Sequence, residues 1–175
     1  MTRLPRPCIV DTNVAIVANG RSEQADDALT EKCIDIILQI TETGGLVLDS
    51  DGRIFDEYWQ NLNLSGQPGT GDLFVKWVHD FQWRPEFCEQ RQIHCLNEDE
   101  QEFAEFPKNE NLQDFDVSDR KFVAVANAGS HCPILQAVDF KWWGWKDTLA
   151  DEGIDVVFVD DKAAEEGYRK HMTDG

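Results

Sequence analysis

The sequence predicts an α/β protein in which a mostly parallel sheet is covered by helices on both faces. Two observations predict this class. Short apolar runs rich in Val, Ile and Leu recur along the chain, and amphipathic segments with helical spacing separate them. Strands buried on both faces form continuous apolar runs of this kind. The 175 residues suffice for one domain with a hydrophobic core, and residues 1–175 are predicted to form a single domain.

Five apolar segments are predicted as strands. In chain order they are Pro5 to Val10, Leu46 to Leu48, Gln92 to Leu96, Ile134 to Val138 and Val156 to Val159. Small or β-branched residues dominate the first of them, and prolines precede its apolar end. In a parallel sheet, ligands bind at the carboxyl ends of such strands.

Seven segments between these strands are predicted as helices from apolar residues at helical spacing or from capping residues. They are Thr12 to Ala18, Ser22 to Ile40, Arg53 to Leu62, Asp72 to Trp83, Arg120 to Ala128, Phe140 to Asp151 and Asp160 to His171. Asp49 or Asp51 can cap the third. The stretch 65–115 is predicted as a longer, helical insertion within the domain.

Acidic residues outnumber basic ones by 34 to 16, giving a formal net charge of −18. Such a charge repels nucleic acid from most faces, so a nuclease would need metal ions, a gathered basic face or a basic partner. A salt-adapted host is a second explanation. No apolar run approaches the ~20 residues that cross a bilayer, and the N-terminus lacks a secretory apolar core. We therefore expect a cytoplasmic protein without a membrane partner.

The cysteines and histidines do not follow a standard zinc pattern. Five cysteines form no CxxC pair, and Cys88, His94-Cys95 and His131-Cys132 have no zinc-ligand spacing. Buried, reduced cysteines are the expectation. No serine or cysteine triad is apparent either.

Four acids lie where the predicted sheet would present ligands. Asp11 follows the first strand and Asp139 ends the fourth, while Glu57 and Asp119 belong to helices beside that edge. Four converging carboxylates repel one another, so some would take up protons unless a cation is present. Mg²⁺ and Mn²⁺ favour oxygen ligands, and such ions can activate water and stabilise charge on a phosphodiester.

Each acid also has a simpler interpretation. Asp11 and Asp119 can act as helix caps, with Asp116 or Ser118 as alternatives to the second. Glu57 fits a solvated helix surface, and Asp139 fits a turn at a strand end. The four together are more specific, because each adjoins an apolar segment of the same alternating fold.

The segments that carry these acids resemble the PIN domain, the nuclease fold of the VapC toxins. The resemblance rests on IVDTNVAIV, LVLDSDGRIFDEYWQNL, DVSDRKFVAVANAG and ILQAVDFKWW. It places Asp11, Glu57, Asp119 and Asp139 at the catalytic and metal-binding positions, adds Asp116 as a supplementary ligand, and gives Asn13 a supporting role. Gln136 to Val138 depart from the family pattern, and Phe140 and Lys141 replace a further acid.

The resemblance implies a three-layer α/β/α fold with a central, mostly parallel five-stranded sheet. It also implies a Mg²⁺- or Mn²⁺-dependent ribonuclease that cleaves single-stranded RNA, either as a toxin with an antitoxin partner or in RNA processing. Arg120, Lys121 and Lys141 are the predicted phosphate contacts, with pairing to nearby acids as the alternative for Arg120 and Lys121. Trp142, in the cluster Trp142 to Trp145, is predicted to stack on a base. Core packing or a homodimer surface explains that cluster equally well.

Two other functions remain open. A PIN-like module that binds nucleic acid or a protein without cutting would fit the acidic surface and the altered fourth motif. An α/β phosphatase or receiver domain fits less well, because Asn13 stands where the phosphatase needs a second Asp. The receiver's lysine is also misplaced, since Asp160-Asp161-Lys162 comes too late in the chain.

Overall fold

The computed structural model describes residues 3–174, and it is an α/β fold. The helices are α1 Thr12–Ala18, α2 Asp27–Thr43, α3 Arg53–Asn61, α4 Thr70–Phe81, α5 Arg120–Asn127, α6 Lys141–Asp151 and α7 Asp161–Thr173. The strands are β1 Ile9–Val10, β2 Leu46–Asp49, β3 Cys88–Arg91, β4 Cys95–Asn97, β5 Glu102–Phe103, β6 Ile134–Gln136 and β7 Val156–Phe158.

The predicted central five-stranded sheet is wrong. The strands form three small sheets: parallel β1-β6-β7, parallel β2-β3 and antiparallel β4-β5. Among residues 3–174, one isolated bridge, between Cys8 and Leu46, links the two parallel sheets. Pro5 and Pro7 lack the N–H groups that would extend the ladder backwards, and Asp11 turns the chain into α1. β1 is therefore too short to join both halves.

The stretch 65–115, expected to be helical, has a mixed structure. Only α4 in its first part is an α-helix; β3, β4, β5 and a short 3-10 turn at Glu110–Leu112 follow. Of the predicted strand Gln92 to Leu96, residues 92–94 connect β3 to β4, and only Cys95 and Leu96 belong to a strand, β4. Its second part pairs antiparallel with β5 rather than extending a parallel sheet.

Polar contacts hold helix α3 against the ends of two strands, β2 and β1. At its start, the Asp49 carboxylate accepts hydrogen bonds from the amides of Arg53 at 2.8 Å and Ile54 at 2.9 Å, which confirms Asp49 as a capping residue. Farther along, the buried Tyr58 hydroxyl donates to the Val10 carbonyl at 2.5 Å. Because Val10 directly precedes Asp11 in the chain, this hydrogen bond holds the helix that carries Glu57 close to Asp11.

Four of the five cysteines, Cys8, Cys33, Cys88 and Cys132, are buried, as predicted. Their thiols pack among aliphatic side chains of one continuous core. No helix within residues 3–174 has both the length and the apolar character that a bilayer crossing requires.

Arg91 ties β3 to the end of α5 from inside the protein. Its guanidinium donates to the carbonyls of Val125 at 3.1 Å, Ala126 at 3.3 Å and Ser130 at 2.9 Å, and to Glu89 at 2.8 Å. The carbonyls at the end of a helix have no partners within the helix, so a buried cation satisfies them.

Replacing Arg91 with Met is therefore expected to lower the free energy of unfolding by about 2 kcal/mol, because buried acceptors lose their donor. Urea unfolding measures the change. Arg84→Met is the matched control, since Arg84 forms an exposed ion pair with Glu86. Equal losses in the two variants would show that the buried contacts of Arg91 contribute nothing special.

Candidate functional site

A crevice of about 970 Å³ opens at the carboxyl ends of β1 and β6. Asp11, Glu57 and Asp139 line it, whereas Asp119 lines an adjoining pocket of about 380 Å³. Lys141 and His171 line both cavities. Three of the four predicted acids thus share one cavity, and the fourth faces the cavity next to it.

Asp11 is the most deeply placed of the acids, with 5% of its surface exposed. It caps α1: one carboxylate oxygen accepts from the Asn13 amide at 3.0 Å, and the other accepts from Gln136 Nε2 at 2.9 Å. Burial raises the pKa of Asp11 to about 7 against the lowering effect of these two hydrogen bonds, and Glu57 and Asp139 raise it further. The simpler interpretation of Asp11 as a cap is correct, but it leaves the burial unexplained.

Asn13 and Gln136 form a small amide network behind Asp11. Asn13 Nδ2 donates to Gln136 Oε1 at 2.7 Å, and Asn13 Oδ1 accepts from the Ala137 amide at 2.8 Å. This arrangement supports the predicted role of Asn13. Gln136, which looked like a departure from the family pattern, is a fully buried partner of Asp11. The available signal was an amide inside the apolar run ILQAV.

Glu57 has partners on both carboxylate oxygens. Lys121 Nζ donates to Oε1 at 3.0 Å and to the Ser118 carbonyl at 2.5 Å, while the Thr12 hydroxyl donates to Oε2. The sequence did not indicate Thr12. For Lys121 the structure favours the alternative of pairing with an acid, because its side chain is only 10% exposed and is occupied by these partners. Lys121 instead places a positive charge among the acids.

Asp119 precedes α5 but does not cap it, since its side chain makes no capping hydrogen bond. Burial raises its pKa to about 8, and the charges of Asp11 and Asp139 add to the effect. Asp116 caps the 3-10 turn Val117–Asp119 that precedes α5, and it accepts from the Ser118 amide at 3.0 Å and the Ser118 hydroxyl at 2.8 Å. These Ser118 bonds are the main reason that the pKa of Asp116 is lowered.

Asp139 follows β6 and faces the crevice. Burial raises its pKa, while Lys141 and the nearby Trp142 indole N–H act in the opposite direction. Asp116 raises it as well. The carboxylates of the site therefore disfavour one another's charged forms, which is the electrostatic signature of acids brought close together.

Two of the predicted substrate contacts, Arg120 and Trp142, have partners within the protein. The Arg120 guanidinium donates to the carbonyls of Glu100 at 3.3 Å and Gln113 at 3.2 Å, so it anchors neighbouring loops. Trp142 is 1% exposed, and its ring packs edge-on against Phe115 at 5.0 Å, so neither of its faces can stack on a base. The core-packing alternative is correct for Trp142.

Lys141 keeps the position expected of a substrate contact. Its side chain is 60% exposed at the rim of the crevice, and its Nζ lies 4.0 Å from Asp116 Oδ2. Lys170 and His171, at the end of α7, line the same crevice. No pattern in the sequence linked Lys170 and His171 to the acids, because only the packing of α7 brings them together.

No group of three or more His, Cys, Asp or Glu side chains within residues 3–174 is arranged as a ready metal site. The chemistry of the donors nevertheless fits a hard divalent cation, because Asp11 is buried, Asp119 and Asp139 are half-buried, and the charges of these oxygen donors are disfavoured without a cation. Glu57 fits less well, since the Lys121 ammonium already offsets its charge at 3.0 Å.

No family model, curated protein or solved structure matches the chain. The geometry and electrostatics of the site are therefore the basis for a proposed function.

Proposed function

We propose that the protein is a Mg²⁺- or Mn²⁺-dependent endoribonuclease that cleaves single-stranded RNA by hydrolysis. The observation that carries the proposal is the raised pKa of Asp11 and Asp119, to about 7 and about 8, beside an open crevice. Burying mutually repelling carboxylates costs stability, and such clusters are typical of functional sites. RNA as the substrate, and a toxin role with an antitoxin partner, come from the resemblance to PIN domains.

Asp11, Asp119 and Asp139 would hold the ion. When bound, it would lower the pKa of a water molecule and offset negative charge on the phosphodiester. Asn13 and Gln136 hold the Asp11 carboxylate in one orientation through their hydrogen bonds. Hydrolysis joins the water oxygen to phosphorus and breaks one P–O ester bond, and the proton released by the water passes to a nearby carboxylate.

Two features of the crevice support an RNA strand as the ligand. Lys141, Lys170 and His171 stand at its rim, where phosphate oxygens would pass. Lys121, bound to Glu57 at 3.0 Å, offsets part of the negative charge inside. Lys141 and Lys170 offer a strand local positive charge, although the acids Glu23, Asp26 and Glu166 line the same crevice.

The second candidate is a PIN-like module that binds nucleic acid or protein without cutting. The ion pair between Glu57 and Lys121 favours it, because the charge of one expected ligand is already offset by a cation. The raised pKa values of Asp11 and Asp119 speak for the nuclease, since a binding module gains nothing from these buried charges.

Cleavage of pooled single-stranded RNA with Mn²⁺ separates the two functions. We expect the wild-type protein and Asp56→Asn, an exposed change on α3, to cleave equally, and Asp11→Asn to leave the RNA intact. Equal cleavage by wild type and Asp11→Asn would assign the activity to another site. RNA binding without cleavage by any variant would favour the module.

A further inference from the structure

The pocket of about 380 Å³ that Asp119 lines also includes side chains that the proposed hydrolysis does not use. It lies between the segment 114–119, α6 and α7, and Phe115, Trp145 and Tyr168 are among its lining side chains. Its size falls within the range of small-ligand sites. Since Lys141 and His171 also line the acid crevice, a strand that crosses these two residues reaches both cavities.

The aromatic side of this pocket is formed in advance by packing. The Phe115 ring meets Trp145 edge-on at 5.7 Å and Trp142 edge-on at 5.0 Å. Tyr168 lies close over Gly144, where a Cβ atom would come within 2.9 Å of its ring. Trp145 and Tyr168 remain partly exposed, so their rings are available to a planar ligand, unlike that of Trp142.

The polar side of the pocket carries hydrogen-bond acceptors. Asp114 lines it and makes no hydrogen bond with any described residue, and Asp116 and Asp119 lie next to it. Carboxylates accept hydrogen bonds from N–H groups on base edges. Guanine presents two such donors side by side, at N1 and at its 2-amino group, whereas uracil presents one between two carbonyls.

We propose that this pocket is a nucleobase subsite with a preference for guanine, next to the scissile phosphate; the proposal rests on the nuclease function above. The base stacks against Trp145 or Tyr168, and Asp114 accepts from its Watson–Crick edge. Lys141 and His171 contact the connecting phosphate. Single-stranded RNA is commonly recognised by this combination of aromatic stacking and edge hydrogen bonds.

Binding of labelled pentamers tests the proposal. Fluorescence anisotropy with UUGUU, UUAUU, UUCUU and UUUUU would use an Asp11→Asn background and Mg²⁺, so that cleavage does not interfere. We expect UUGUU to bind about tenfold more tightly than UUUUU. Adding Trp145→Ala should weaken UUGUU about tenfold or more, whereas Trp83→Ala, a 65% exposed tryptophan that lines neither cavity, should change nothing.

Asp114→Asn provides a second variant at an exposed position where folding is not at risk. It should remove the preference for UUGUU and leave the affinity for UUUUU unchanged. Equal affinities for all four pentamers, or a guanine preference that survives Asp114→Asn, would overturn the proposal. If the wild-type protein prefers guanine but does not cleave RNA, the subsite is supported and the nuclease function is rejected. If it cleaves RNA without any base preference, the nuclease function is supported and the subsite is rejected.

Discussion

Asp119→Asn is expected to reduce Mn²⁺-dependent RNA cleavage at least about 1,000-fold and, at the same time, to stabilise the metal-free protein at pH 8 to 9. The loss of activity follows because Asp119 is one of three carboxylates that would hold the ion, and such ions supply several kcal/mol of stabilisation to the transition state. The gain in stability follows because the side chain makes no capping hydrogen bond that Asn would lose.

The sign of the stability change depends on the pKa of Asp119. Its folded value of about 8 lies above the reference value of 3.8, so the folded protein binds more protons than the unfolded chain between these pH values. Wild-type stability therefore falls as pH rises through this range. The gain from Asn should be near zero below about pH 4 and should increase between about pH 4 and pH 8. At about pH 9 it should be complete, on the order of 2 kcal/mol, or roughly 4–8 °C in Tm.

Thermal unfolding of metal-free protein at pH 5, 7 and 9 measures this effect, with Asp56→Asn as the control for removing one exposed acid from the same chain. A variant that loses activity but also loses stability at pH 9 would mean that Asp119 is a structural residue. A variant that keeps its activity would remove Asp119 from the ion site.

Divalent ions are expected to cancel the pH dependence of stability. Without metal, the Tm of the wild-type protein should fall between pH 5.5 and pH 8.5, because Asp11 and Asp119 lose their protons at a cost in that window. With Mn²⁺ at about 100 times its Kd, stability should rise by about 2.7 kcal/mol at pH 8.5. At pH 5.5 the gain should be small, because protons compete for the same oxygens.

Proton release gives an independent measure of the same competition. Calorimetric titration with Mn²⁺ at pH 7 in buffers of different ionisation enthalpy should show about one to two protons released per ion bound. Equal stabilisation at pH 5.5 and pH 8.5, or binding without proton release, would mean that the ion binds away from Asp11 and Asp119.

The sequence was informative where function depends on local order along the chain. Asp11 and Asp139 could be predicted as neighbours because each directly follows an apolar strand, and such strands place their carboxyl ends together. Asp49 could be predicted as a cap from the acids that precede an amphipathic stretch. The α/β class followed from the same alternation.

The sequence was misleading where the outcome depends on which side chains meet across the fold. Lys121 and Trp142 were expected to reach RNA because a cation or an aromatic ring beside an acid fits a phosphate or a base. In the structure both point inward: Lys121 pairs with Glu57, 64 positions away in the chain, and Trp142 packs on Phe115. Both residues lie near the start of a helix, where the sequence does not define the first helical residue. The face of the helix that each residue occupies therefore could not be predicted.

The extent of the sheet could not be predicted for a related reason. Five apolar runs suggested five paired strands, but pairing also requires free N–H groups and sufficient length on both sides. The prolines before Cys8 and the early turn at Asp11 shorten β1 to two residues, so the two parallel sheets meet only at one bridge.

We infer that folding brings acids together in a way that favours a divalent ion. A carboxyl-carbon NMR titration of Asp11 and Asp119 tests this inference most directly. In metal-free protein we expect both to titrate well above pH 6, near their values of about 7 and about 8. Saturating Mg²⁺ should lower both apparent pKa values by at least about one unit. Titration of both near pH 4, unchanged by Mg²⁺, would contradict the account.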